Sequence, residues 1–92
     1  MTDRMERMRS LLAATLAPLE CQLIDESYLH AGHAGAAAGG GHYRLHIVSD
    51  RFTGLSRLAR HRLVYDSLRN MMPSEIHALT IIAVAPSEQQ QQ

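Results

Sequence analysis

Apolar residues recur at Met5, Met8, Leu12 and Leu16, and spacings of three and four place them on one stripe of a helix predicted over residues 2–17. Thr2 or Asp3 can cap it, while Arg4, Glu6, Arg7 and Arg9 fall on the wet side. Pro18 stops the helix, because it lacks an amide hydrogen and biases Ala17 away from helical angles. The period then drops to two. Residues 21–27 predict a short strand, with Cys21, Leu23 and Asp25 on one side and Gln22, Ile24 and Glu26 on the other. The segment HAGHAGAAAGGG (30–41) predicts a loop, since ordering so many glycines is entropically costly. Residues 42–49 form the clearest strand, Tyr43, Leu45 and Ile47 alternating with His42, Arg44 and His46.

Residues 49–54 (SDRFTG) read as a turn. A second helix is predicted from Ser56 to Met72, with Leu58, Tyr65, Leu68 and Met72 on one face and Pro73 ending it. HALTIIAV (77–84) is a β-branched, nearly continuous apolar run, predicted to be a strand covered on both faces or lying centrally. The polar tail 86–92 is expected to be disordered, which leaves one domain over 1–85. The order helix–strand–strand–helix–strand limits the topology. The first two strands suit an antiparallel hairpin, and the helix between the second and third makes those two parallel. The expected fold class is α+β: a three-stranded mixed sheet with both helices on one face. His42, Arg44 and His46 then face solvent or a partner.

At 92 residues the chain suits one small domain. Nine basic residues, all arginine, balance nine acidic ones, so bulk attraction to a polyanion is excluded and any nucleic-acid role needs a local patch. One cysteine cannot make an internal disulfide or a cysteine-rich metal centre. No apolar run reaches the ~20 residues of a membrane span, and the charged opening MTDRMER is unlike a secretory signal. A cytoplasmic protein without membrane association is expected.

Catalytic signatures are absent: no nucleophile elbow, no phosphate-cradling glycine fingerprint, no HExxH. Asp25 and Glu26 are adjacent on a strand, point to opposite faces and cannot work as an acid–base pair. A binding or adaptor role is expected rather than an enzyme. The six histidines call for an account. His30 and His33 lie in the loop and His77 opens the last strand; they are either solvated or donors to a metal whose other ligands come from elsewhere. His61 reads as a helix histidine at the core edge, and His42 and His46 as solvated. Cys21 reads as a small buried apolar group. Arg51, Arg57, Arg60 and Arg62 could contact phosphates or form a solvated face.

Several stretches together resemble the BolA family. They are Ser49-Asp-Arg-Phe-Thr-Gly54, Arg60-His-Arg-Leu-Val-Tyr65 with Leu68, and His77-Ala-Leu79. Asp25-Glu-Ser-Tyr28 with His30, and the His42-Tyr43 pair, also fit, so the likeness covers about residues 3–85. The family's fold, similar to the class II KH fold, has the same element order.

The resemblance implies a non-enzymatic partner of monothiol glutaredoxins, the two proteins sharing a bridging [2Fe-2S] cluster. The glutaredoxin and glutathione would supply thiolates, and this chain two imidazoles: His77 and a loop histidine, His30 or His33. Such ligation is Rieske-like, with a raised potential. The isolated chain would be a monomer without a cofactor. The resemblance also implies an alternative, a DNA-binding transcriptional regulator using Arg51, Arg57, Arg60 and Arg62.

Overall fold

A computed structural model describes residues 3–30 and 40–89. Helix α1 spans Arg4–Leu16, strand β1 Glu20–Asp25, strand β2 Gly41–Val48, helix α2 Arg57–Ser67, strand β3 Ile76–Val84, and a short helical turn α3 Pro86–Gln89. The sheet order is β1-β2-β3, with β1 antiparallel and β3 parallel to β2. This is the expected α+β arrangement. The core lies between the sheet and the two long helices, where Met8, Leu12 and Leu16 of α1 and Val64 and Leu68 of α2 meet Leu23, Leu45, Ile47 and Ile81.

Local chemistry sets the boundaries. The Asp3 carboxylate accepts the Glu6 N–H at 2.8 Å and starts α1, and Ala17 ends it at φ 41°, the left-handed turn forced just ahead of Pro18. Ser49, predicted to end a strand, is fully buried; its hydroxyl donates to the Leu16 carbonyl at 2.7 Å and accepts the Arg51 N–H. It therefore ties α1 to the 3-10 turn Asp50–Phe52.

The second helix departs from expectation in length and in phase. It stops at Ser67, whose hydroxyl bonds back to the Leu63 carbonyl, and the Leu68 N–H is shared between Val64 and Tyr65. That sharing tightens the chain into the 3-10 turn Arg69–Met71 well before Pro73. The buried face runs through Val64 and Leu68, leaving Leu58 59% and Tyr65 39% exposed. Both the predicted face and the predicted end at Met72 are thus corrected.

Residues 86–89 are helical rather than disordered, because Glu88 folds back onto Arg60; residues 90–92 lie outside the described residues. Strand β3 is an edge strand rather than a central one, with Ile82 42% exposed and Leu79 half-buried.

Candidate functional site

The topology itself gathers the histidines. With β1 antiparallel and β3 parallel to β2, the exit of β1 and the entries of β2 and β3 all lie at one end of the sheet. The 3-10 turn Ser27–His30 follows β1, His42 opens β2 and His77 opens β3. Main-chain bonds join these pieces. The Glu26 N–H donates to the His42 carbonyl at 2.8 Å, the His42 N–H to the Ser27 hydroxyl at 3.1 Å, and the Gly41 N–H to the Glu75 carbonyl at 3.0 Å.

A shift in register turns His77 outward. Gly41 pairs with Ile76 but His42 pairs with Ala78, so the ladder skips His77. Plain alternation from Leu79 and Ile81 would put His77 on the helix side. The shift instead sends Ile76 into the core, fully buried, and leaves His77 exposed on the opposite face beside His42. The two rings lie 5.2 Å apart, tilted by 50°.

His42 was expected to be solvated; it is only 9% exposed, with the His77 ring beside it. Its place beside His77 is the feature that strand periodicity missed. The signal that could have found it is the parallel topology, which puts the entries of β2 and β3 together. His30 closes the turn anchored on His42, while His33 lies outside the described residues. Farther along the same face, His46 is half-buried, and exposed Arg44 pairs with Glu26 at 3.1 Å. Among the described residues no group of three or more His, Cys, Asp or Glu could hold a metal ion.

The arginines lie at the other end. Arg51, Arg57 and Arg62 are exposed, the last two on α2. Arg60 is turned inward: its guanidinium donates to the carbonyls of Leu55 and Ala83, both at 3.0 Å, and to both Glu88 oxygens. Those commitments remove Arg60 from the set available to phosphates. Glu88 is held down to about pKa 2, first by Arg60 and then by the Ala85 N–H. Beside this lock an open groove of about 330 Å³ is lined by Leu55, Arg57, His61, Ile81 and Ile82. His61 is half-buried there. From His77 to Ala83 along β3 is about 20 Å at strand rise, so the two candidate sites are separate surfaces. Cys21 is half-buried against the core; burial pushes its thiol pKa up, Arg9 opposing.

Comparison with known proteins gives one consistent result. The sequence model of the family described as BolA-like protein matches residues 12–88. The chain is 45% identical over 87 residues to SufE-like protein 1, chloroplastic/mitochondrial, of Arabidopsis thaliana, covering 89% of this chain but 24% of that relative's length. The solved BolA domain of SufE1 from the same plant superposes with a TM-score of 0.83 at 44% identity, covering 96% of this chain and 98% of that one. The DNA-binding transcriptional regulator BolA of Escherichia coli (strain K12) is 38% identical over 76 residues, 83% of this chain and 70% of that protein. No helix among the described residues is long and apolar enough to cross a membrane.

Proposed function

The chain belongs to the BolA-like protein family, and from that premise we propose that it is a non-enzymatic adaptor that binds a monothiol glutaredoxin and shares a [2Fe-2S] cluster with it. The observation that carries this reading is the outward turn of His77 beside His42 at the strand end where the turn bearing His30 also arrives. The donor set fits. A neutral imidazole is a competent iron ligand, and His77 is exposed. A bridging cluster needs only part of its ligands from each protein, which suits a chain whose one thiol is half-buried and has a raised pKa. In this reading His77 is one ligand and His30 or His33 the other. When bound, the cluster would supply redox-active or transferable iron and sulfide; the chain's own part is to present imidazoles.

The reading includes a cytoplasmic location. An organellar one, as in the name of the Arabidopsis relative, would leave the chemistry of the site unchanged. The test is reconstitution of the chain with a monothiol glutaredoxin, iron, sulfide and glutathione. A 1:1 complex with a visible spectrum distinct from that of the glutaredoxin alone is expected. A mixture showing only the glutaredoxin's own spectrum, with this chain eluting free, would refute the proposal.

A second reading, a DNA-binding regulator, is favoured by exposed Arg51, Arg57 and Arg62 and by the likeness to the DNA-binding transcriptional regulator BolA of Escherichia coli. With zero net charge, such binding would rest on those few arginines and weaken steeply with salt. Replacing Arg57 and Arg62 together should abolish it and leave the glutaredoxin complex intact.

A further inference from the structure

Among the described residues, His42 is attached at the proposed site both through its ring and through its backbone. Its ring lies 5.2 Å from the His77 ring, at a 50° tilt. Its backbone binds the chain that follows β1, through the Glu26 N–H on its carbonyl and its own N–H on the Ser27 hydroxyl. The Ser27 N–H in turn donates to the Asp25 carboxylate at 2.9 Å, which fixes the start of the turn that ends at His30. One residue thus touches both strand ends that carry proposed ligands. Its 9% exposure means the ring has little room to swing, whereas His77 is exposed.

We infer that His42 is a positioning residue: its ring fixes the orientation of the His77 imidazole, and its backbone fixes the turn bearing His30. This rests on the glutaredoxin-adaptor reading for its purpose, but not for its measurement. The physical basis is pre-organisation. A long-lived contact removes rotamer freedom that ligand binding would otherwise have to remove, and neighbours of metal ligands commonly change affinity by ~10–100-fold.

The test separates ring from backbone. In the free chain, NMR side-chain couplings of His77 should report one rotamer. They should average in His42→Ala and stay resolved in His42→Phe, which keeps a ring in place. Ser27→Ala should loosen residues 27–30 by relaxation measurements and leave His77 ordered. In the glutaredoxin complex, cluster lifetime should fall roughly tenfold for His42→Ala and stay within about twofold for His42→Phe. Unchanged His77 couplings in His42→Ala would overturn the inference. So would a His42→Phe complex as unstable as the Ala one, because His42 would then act through its nitrogens. If no complex forms with the parent chain while the couplings respond as described, the adaptor reading fails and the positioning contact stands.

Discussion

Glu88 grips Arg60 through two hydrogen bonds, 2.6 and 2.7 Å, and that pair fastens the C-terminal turn to α2. The contact depresses the Glu88 carboxyl from 4.5 to about 2. A lowered folded-state pKa means the contribution to stability is complete above the ordinary carboxylate value and is lost as pH falls toward the folded one. Glu88→Gln should therefore melt below the parent at neutral pH, and the difference in Tm should close between pH 4.5 and about 2. A difference independent of pH over that range would show that the ion pair is not its source.

The same guanidinium also serves the carbonyls of Leu55 and Ala83. Arg60→Met should leave both without these donors and cost ~1–3 kcal/mol in urea unfolding. Arg62→Ala, on the exposed side of the same helix, should stay within about 0.5 kcal/mol. Equal costs at the two positions would contradict the assignment of Arg60 as structural and Arg62 as free for a partner.

Leu68 is fully buried where α2 meets the sheet, and Leu68→Ala should cost ~2–5 kcal/mol by denaturant unfolding. Tyr65→Ala, removing a larger side chain from the exposed flank, should cost much less. The reverse order would restore the helix face that periodicity alone suggested.

Gly41 is required by close approach. A Cβ there would meet the Tyr43 ring at 2.5 Å, and Tyr43 is only 4% exposed, so the ring has nowhere to go. Gly41→Ala should cost ~1–3 kcal/mol and disturb the register shift that turns His77 outward. Chemical-shift changes that spare His42 and His77 would argue against that coupling.

Strand and helix identities and most of the core were legible because they rest on local periodicity, and the pairing directions because they follow from the connections between strands. Leu12, Leu45, Ile47, Leu68 and Ile81 are all buried as their stripes require. The phase of α2 was not legible, because Tyr65 and Val64 are neighbours and either completes a plausible stripe with Leu68. Only packing against the sheet decides for Val64. The α3 turn was hidden in a polar tail, since its order comes from a contact between Arg60 and Glu88, 28 positions apart. At the proposed site, His77 was singled out from the family motif, and its outward turn depends on a one-residue register shift that no alternation rule contains. His42 was misplaced because its burial depends on neighbours beyond its own strand, among them the His77 ring.

The most direct measurement is the visible absorption and circular dichroism of the reconstituted glutaredoxin complex carrying His77→Ala. The proposed ligation predicts that the spectrum is lost or reverts to that of the glutaredoxin alone, and that cluster lifetime falls at least about tenfold. A spectrum and lifetime equal to those of the parent complex would contradict it.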